Sequence, residues 1–251
     1  MLSSIRRFGG LAAMLFASVL WAEVVGETDW QNAYLAQREA LTLNAVPDGF
    51  KAGLTSIAAQ QKFQSDRAIY GVLPAGSRLD SQGIVHLSVF GRGMIELELA
   101  FRLKQAVITP IVDISSLKLL VADIAPALEL PDLGFLAGKK SGVLDIVRGN
   151  VAAHSFVLGQ AQPLLGLDLN ALDVVLRRDG KVVVSALSGE LAGGQWQNLL
   201  DLINDRVQRG WIIQPDQWLL TGAIGGMKLL QPGRYEASIA GLNKLAIQLE
   251  P

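Results

Sequence analysis

The chain has 251 residues, half of them hydrophobic and 18% charged, so it can bury a sizeable core in one large domain or two small ones. Its 22 basic and 23 acidic side chains nearly cancel, which argues against a nucleic-acid-binding protein with a basic excess on one face. The chain has no cysteine, and this excludes disulfides, thiolate metal sites and cysteine nucleophiles.

The N-terminal residues 1–22 have the three parts of a signal peptide. Arg6 and Arg7 form a basic start, residues 11–21 form an uncharged apolar run, and Ala22 supplies a small residue at the cleavage point. This pattern predicts export of the remaining chain.

An uncleaved membrane anchor is the alternative interpretation of the same segment. The apolar run of residues 8–26 is nearly long enough to cross a bilayer, although Glu23 interrupts it. The basic residues precede the run, so the positive-inside rule also sends the bulk of the chain outward. We therefore assign residues 1–26 to a signal peptide or membrane anchor, and place the protein at the periplasmic side of the inner membrane or in the periplasm.

Residues 27–80 are predicted to form a helical or irregular N-terminal region. Residues 27–41 are typical of a helix, in which Thr28 and Gln31 have the spacing of a capping box. Residues 50–80 are ambiguous, and within them the stretch 54–63 could be a short helix.

Residues 81–251 are predicted to form a β-rich domain. Apolar and polar residues alternate over 95–104, which indicates a strand with one core face and one wet face. The preceding strand, 84–90, is joined to it through Gly91-Arg92-Gly93, and this spacing predicts a hairpin.

The second half of this domain contains a further hairpin, a helix and two final strands. Asp179-Gly180 lies between two apolar strands at 172–187, where this dipeptide favours a tight type I′ turn. Residues 196–209 have the apolar periodicity of a helix, and residues 234–240 and 244–249 close the chain as strands. The expected fold is mainly β: an antiparallel sheet that can curve over an apolar face, with two or three helices, preceded by the N-terminal signal or anchor helix.

Two histidines are the first candidates for chemistry. His86 and His154 each lie in or beside a predicted strand, and neither has a second histidine at metal-ligand spacing. A zinc or triad role would need partners from elsewhere in the fold, so we interpret both as structural residues.

Two short motifs resemble catalytic signatures but lack their spacing. The loop Gly134–Ser141 has three residues between its glycines, where a phosphate-binding loop needs four. Ser115-x-x-Lys118 and Lys140-Ser141-Gly142 resemble elements of penicillin-binding enzymes, but they lie within one β-rich stretch. Neither motif predicts a site.

Glu96 and Glu98 share one face of the predicted strand and could form a carboxylate pair. Arg102 and Lys104 follow on the same face, so a solvated charged surface is the simpler interpretation. The sequence therefore predicts no catalytic, cofactor-binding or metal-binding residue, and no cofactor.

The N-terminal segment and residues 167–194 carry a resemblance to a known class of proteins. The latter stretch runs through a strand, Asp-Gly, a second strand and Gly-Glu-Leu-Ala-Gly-Gly. This order is similar to the hairpins of the type II secretion system protein N family and of AsmA-like envelope proteins. The resemblance implies a non-enzymatic role in secretion or lipid handling, with the membrane, lipid or secretion-system proteins as partners. It implies no site residues.

The leading hypothesis is accordingly a non-enzymatic envelope protein, either a component of a secretion assembly or a lipid-handling element. The first alternative is a periplasmic hydrolase, for which His86 or His154 would have to meet a carboxylate and a nucleophile in one pocket. The second alternative is a binding module for a small apolar ligand, which would need a cavity lined by strand residues.

Overall fold

The computed structural model describes residues 25–41, 45–81, 83–138 and 141–251. Within these ranges the chain forms five α-helices and fourteen strands in two sheets. The helices are α1 (Glu27–Ala40), α2 (Ile57–Phe63), α3 (Ile114–Leu120), α4 (Val143–Arg148) and α5 (Gly194–Gln208).

The larger sheet has nine strands. They are β1 (Gly49–Gly53), β2 (Ile69–Leu73), β3 (Arg78–Leu79), β5 (Met94–Leu103), β6 (Val121–Leu130), β7 (Ser155–Leu158), β8 (Gln162–Pro163), β11 (Trp218–Leu220) and β12 (Ile224–Leu229). Their order is β2-β1-β11-β5-β6-β7-β3, with β12 also paired to β5 and β8 to β6. The long strands β5 and β6 therefore lie at the centre.

The smaller sheet has five strands in the order β10-β9-β13-β14-β4. They are β4 (Ile84–His86), β9 (Asp173–Arg178), β10 (Lys181–Leu187), β13 (Gly233–Ile239) and β14 (Leu245–Glu250). Apolar side chains of both sheets join one core cluster, so the two sheets are parts of one structure.

The expected β-rich character is confirmed, but the expected antiparallel arrangement is wrong. Strand β1 pairs with β11 in parallel, β3 with β7, and β14 with β4. Both sheets are therefore mixed, and the described residues contain five helices where two or three were expected. The antiparallel prediction failed because it assumed that neighbouring strands in sequence pair with each other.

The N-terminal signal or anchor segment lies almost entirely outside the described residues, which begin at residue 25. Among the helices that the structure describes, none combines the length and the hydropathy needed to cross a bilayer.

The predicted hairpin around Gly91-Arg92-Gly93 is wrong. Strand β4 pairs in parallel with β14 in the smaller sheet, whereas β5 pairs with β6, β11 and β12 in the larger one. The segment between them thus carries the chain from one sheet to the other.

Strand β5 is buried on both of its faces. Ile95, Leu97, Leu99 and Phe101 are inaccessible to solvent and join the main core. Ala100, on the opposite face, is equally buried and belongs to a second cluster. Polar side chains that alternate with the apolar ones along this strand therefore enter the protein interior.

Candidate metal centre

Three glutamates converge in the interior of the larger sheet. Glu96 and Glu98 lie on β5 and Glu129 on β6, and one carboxylate oxygen from each lies within 4.8 Å of the other two. Glu98 and Glu129 are fully buried, and the side chain of Glu96 is 13% exposed. In the described part of the chain, this is the one group of acidic or histidine side chains with such an arrangement.

The register of the central strands places like charges opposite each other. Glu96 on β5 is the direct cross-strand partner of Glu129 on β6. Like charges at directly opposed positions destabilise a sheet, and burial increases that cost because water no longer screens them. The arrangement therefore requires compensation by positive charge.

Lys51 supplies part of that compensation. Its position on β1 directs the ammonium into the cluster, where Nζ lies 2.9 Å from Glu129 Oε2 and 3.9 Å from Glu96 Oε2. Nζ also donates a hydrogen bond to the carbonyl oxygen of Val151, at 3.2 Å. One buried ammonium faces three carboxylates, so up to two negative charges remain uncompensated when all three are ionised.

The loop between β11 and β12 also contacts the cluster. The amide N–H of Gly222 donates to Glu98 Oε2 at 2.7 Å. Gly222 has φ of +108°, and a Cβ at this position would lie 2.2 Å from Thr55 Oγ1. Only glycine allows this approach, because a side chain would both clash and strain the backbone.

A strained segment contacts the cluster through Lys51. Asn150, Val151 and Ala152 have φ of 52°, 53° and 60°, in the left-handed region. Such a conformation costs about 1–3 kcal/mol for each non-glycine residue. The segment is held because Asn150 exchanges two side-chain hydrogen bonds with the backbone of Val72, at 2.8 and 2.7 Å. Strain of this kind concentrates at functional sites.

The buried carboxyls hold their protons unusually strongly. Burial, together with the charge of Glu129, raises the pKa of Glu96 to about 8 even though Lys51 opposes the shift. Burial and the charges of Glu129 and Glu96 raise the pKa of Glu98 well above its usual value. Burial alone would lower the pKa of Lys51, but the three carboxylates outweigh it and raise that pKa. Lys51 is therefore a stable cation.

These shifts predict that the metal-free protein loses stability as pH rises. Between pH 4.5 and about 8, folded Glu96 retains a proton that the unfolded chain has released. The folded state binds more protons in this window, so the free energy of unfolding falls with increasing pH. We expect urea unfolding in EDTA to show this decline, and to show a smaller one for the variant Glu96→Gln/Glu98→Gln. An equal slope in both proteins would contradict the assignment.

The donor set fits a hard divalent cation. Carboxylate oxygens are the ligands that Mg²⁺, Mn²⁺ and Ca²⁺ prefer. Glu98 Oε1 and Glu129 Oε1 are buried without a hydrogen-bond partner, which a bound cation would supply. A divalent charge would also neutralise the excess that Lys51 leaves. Glu96, Glu98 and Glu129 are therefore the residues that could hold such an ion.

The centre opens into a cavity of about 510 Å³, which Glu96 lines. Cavities of this size accommodate small organic ligands. Its other walls come from the segment after β1, from α2, and from the residues around Arg92, Leu133 and Met227. A small molecule in this cavity would lie beside Glu96.

The sequence interpretation of Glu96 and Glu98 as a solvated surface is wrong. The alternation was read correctly, but β5 is a central strand covered on both faces, so the expected wet face is interior. Arg102, on the same face, is half-buried and pairs with Asp123 at the end of the strand. Only Lys104, beyond the strand, is exposed.

Sequence reasoning missed Lys51 and Glu129 altogether. Glu129 lies in the apolar run Ile124–Leu130, and Lys51 lies within Gly49–Gly53. Charged residues are almost never fully buried unless they are paired. A single charged residue inside an apolar strand was therefore the sequence signal that could have identified Lys51 and Glu129 as members of a buried charged site.

The structure places the two histidines away from this centre. His86 and His154 line a second cavity of about 460 Å³ together with Asp80 and Ser155, and this cavity shares no lining residue with the first. His154 Nδ1 lies 3.1 Å from Ser155 Oγ. Neither histidine belongs to the glutamate cluster.

The motif-like residues also lie elsewhere. Ser115 and Lys118 lie on α3, whose N-terminus is capped by Asp113. Of the loop Gly134–Ser141, Lys139 and Lys140 lie outside the described residues. Ser141 lines the cavity over the glutamate cluster.

Several curated relatives are similar to most of the chain. It is 26% identical over 234 residues to the TodF product hydratase of Pseudomonas putida strain F1, covering 88% of this chain and 85% of the relative. It is 27% identical over 186 residues to 4-oxalocrotonate decarboxylase of Pseudomonas sp. strain CF600, covering 74% and 70%. It is 29% identical over 200 residues to 2-keto-4-pentenoate hydratase of Burkholderia vietnamiensis strain G4, covering 78% and 76%. No family model matches the chain.

Solved structures show the same fold. The 4-oxalocrotonate decarboxylase of Pseudomonas putida G7, complexed with magnesium and adipate, superimposes with a TM-score of 0.80 at 23% identity. That match covers 88% of this chain and 86% of the other. The fumarylpyruvate hydrolase of Pseudomonas aeruginosa, in complex with Mn²⁺ and pyruvate, has a TM-score of 0.61 at 17% identity over 80% of this chain and 88% of the other. The chain thus has the mixed α/β fold of these proteins.

The comparisons contradict the envelope hypothesis. They point to the family of fumarylacetoacetate hydrolases, 2-keto-4-pentenoate hydratases and 4-oxalocrotonate decarboxylases, not to type II secretion system protein N or AsmA-like proteins. The predicted non-enzymatic role, the membrane, lipid and secretion partners, and the inner-membrane or periplasmic location are therefore wrong. The order of strand, Asp-Gly and strand in residues 167–194 was not specific evidence for those families, because any antiparallel strand pair can produce it.

Proposed function

We propose that the protein is a metal-dependent enzyme that hydrates or decarboxylates a small 2-oxo acid or its enol form. The observation that carries this proposal is the buried cluster of Glu96, Glu98 and Glu129, with two carboxylate oxygens that lack a partner. The relatives, named as hydratases and decarboxylases over most of the chain, support it. Of the earlier alternatives, the enzyme hypothesis is therefore the better one, although it rested on the wrong residues.

Hydration and decarboxylation of such acids share one requirement. In hydration, water adds to the alkene carbon that is conjugated with the C2 oxo group, and in decarboxylation the carbon next to that alkene loses CO₂. In both reactions an electron pair is delocalised onto the oxygen at C2. A divalent cation supplies Lewis-acid stabilisation of that oxygen when it is bound. One centre can therefore support either reaction, and the walls of the cavity select the substrate.

The residues of the chain have distinct roles in this proposal. Glu96, Glu98 and Glu129 hold the cation, and Gly222 orients Glu98 through its amide N–H. Lys51, which its neighbours keep protonated, presents a positive charge and a proton at the same centre. The buried position of the cluster keeps bulk water away, which strengthens each of these interactions.

The test is turnover by the EDTA-treated protein before and after addition of Mg²⁺ or Mn²⁺. The two substrates are 2-hydroxypenta-2,4-dienoate, followed by loss of diene absorbance, and 4-oxalocrotonate, followed by release of CO₂. We expect metal-dependent consumption of at least one acid, with no activity above background in EDTA. A folded protein that consumes neither acid in the presence of either metal would overturn the proposal.

A further inference from the structure

A β-bulge separates β11 from β12 where the two strands pass along β5. Leu220 pairs with Ala100 of β5 and Ile224 pairs with Leu97, so four residue steps on one side face three steps on the other. An extra residue of this kind interrupts the ladder of backbone hydrogen bonds and re-aims a local group, and bulges are frequent beside active sites. This bulge comprises residues 221–223.

The bulge directs one backbone amide to a side chain of the candidate metal centre. The amide N–H of Thr221 still donates to the carbonyl oxygen of Leu99 on β5, at 3.2 Å. The next amide, that of Gly222, donates to the carboxylate oxygen Glu98 Oε2, at 2.7 Å. Glu98 Oε1 is buried and has no hydrogen-bond partner among the described residues. The bulge therefore determines which oxygen of Glu98 is left for a cation.

The side chain of Thr221 connects this bulge to helix α5. Its hydroxyl oxygen lies 2.6 Å from Gln195 Oε1 and 3.2 Å from the carbonyl oxygen of Leu99. A hydroxyl carries one proton, and the shorter contact is the stronger hydrogen bond. Thr221 and Gln195 are both inaccessible to solvent, so water cannot replace this bond when it is lost.

Gln195 is fixed by two further hydrogen bonds. Its side-chain Nε2 donates to the carbonyl oxygen of Ser188 at 2.7 Å, and its backbone amide accepts Asn170 Oδ1 as a partner at 2.9 Å by donating its N–H. Because a carbonyl oxygen only accepts, the NH₂ group must face Ser188 and Oε1 must face Thr221. The hydroxyl of Thr221 is therefore the donor, and Gln195 is a fixed acceptor for it.

We propose that Gln195 and Thr221 are positioning residues of the metal centre. Their hydrogen bond fixes the bulge, the bulge places the N–H of Gly222 against Glu98 Oε2, and this contact keeps Glu98 Oε1 free for the cation. Both residues act through Gly222 and not on the ion itself. The inference rests on the proposed function, because it assigns how one ligand of that centre is held. Outer-shell partners of this kind typically contribute about 10–100-fold to metal affinity.

Two substitutions of Thr221 separate the effect of the hydroxyl from that of side-chain shape. Thr221→Val keeps the shape and removes the hydroxyl, and we expect it to weaken Mg²⁺ binding about tenfold or more in calorimetric titration. Thr221→Ser keeps the hydroxyl and removes a methyl group. It should bind Mg²⁺ nearly as the wild-type protein does, even where urea unfolding shows that it is less stable.

A third variant tests whether the two residues act as one unit. Gln195→Met removes the acceptor and should weaken Mg²⁺ binding by a factor similar to that of Thr221→Val. It also measures the same contact if Thr221→Val does not fold. The double variant Thr221→Val/Gln195→Met should lose no more affinity than the larger single effect, because residues that share one hydrogen bond are coupled. Additive losses would contradict the proposed contact.

The matched control is Asn204→Leu, which also lies on α5. The side chain of Asn204 exchanges two hydrogen bonds with the backbone of Ile111, at 2.7 and 2.9 Å, so its loss should lower stability and leave Mg²⁺ affinity unchanged. Unchanged affinity in Thr221→Val, or an equal loss in Thr221→Ser or Asn204→Leu, would overturn the inference and leave the metal centre standing. A folded wild-type protein that binds no Mg²⁺ would overturn both.

Discussion

Replacing Glu129 by glutamine is expected to weaken binding of Mg²⁺ by roughly 100-fold or more, since loss of even an outer-shell partner typically costs 10–100-fold. Glu129 is fully buried and faces Glu96 across the strands, and its Oε1 contacts no donor while its Oε2 is ion-paired with Lys51. The amide keeps the shape of the side chain but removes its charge. Calorimetric titration with Mg²⁺ measures the affinity, and turnover of the accepted acid should fall in parallel.

The matched control is Glu236→Gln, which removes a half-exposed carboxylate from the smaller sheet. It should bind Mg²⁺ as the wild-type protein does. Circular dichroism would show that both variants are folded. A Glu129→Gln protein with unchanged Mg²⁺ affinity would exclude Glu129 as a ligand and contradict the metal centre.

The second large effect is expected for Lys51→Met. The Lys51 side chain is 3% exposed and its Nζ lies 2.9 Å from Glu129 Oε2, so its removal leaves the buried carboxylates without their cation. Breaking a buried ion pair in this way costs about 3–5 kcal/mol. The cost should be largest above pH 8, where the raised pKa of Glu96 no longer keeps that group neutral. Excess Mg²⁺ should recover much of the loss, because the ion replaces the missing positive charge.

Urea unfolding in EDTA and in Mg²⁺ measures both parts of this prediction. Lys228→Met, an exposed substitution on β12, is the control and should be neutral under both conditions. A Lys51→Met protein that is as stable as wild type in EDTA above pH 8 would show that the lysine does not compensate the cluster. Turnover by Lys51→Met should fall even when Mg²⁺ restores its stability.

Local signals predicted those elements whose contacts are close in sequence. The helix expected at 196–209 is α5, and Gly210 follows it with φ of +79°. The hairpin at Asp179-Gly180 is confirmed as β9 and β10, with both turn residues at positive φ. In each case periodicity and one turn residue determine the structure with little help from the rest of the chain.

The same reasoning failed where pairing is non-local. Strands β4 and β5 are neighbours in sequence but belong to different sheets, since β4 pairs with β14 at the far end of the chain. The alternation of apolar and polar residues along β5 predicted one solvent-exposed face. Such an alternation does not show whether one or both faces of a strand are covered by the rest of the protein. Residues from elsewhere in the chain pack on each of its faces, in the main core cluster on one side and a second cluster on the other, and this packing buries both.

The sequence by itself determined the β-rich character, the tight hairpin, the long helices and the absence of cysteine chemistry. These follow from composition, periodicity and turn residues, which act over a few positions. Only the tertiary structure decided that Lys51, Glu96, Glu98 and Glu129 form one centre. The pairing of β5 with β6 and the burial of β1 bring these residues together. Lys51 and Glu129, for example, are 78 residues apart in the sequence. Glu96 and Glu98, predicted from the sequence to be a solvated surface, are therefore part of a buried, charge-rich centre. The sequence pattern could not show this, because the desolvation of a side chain depends on which other residues cover it.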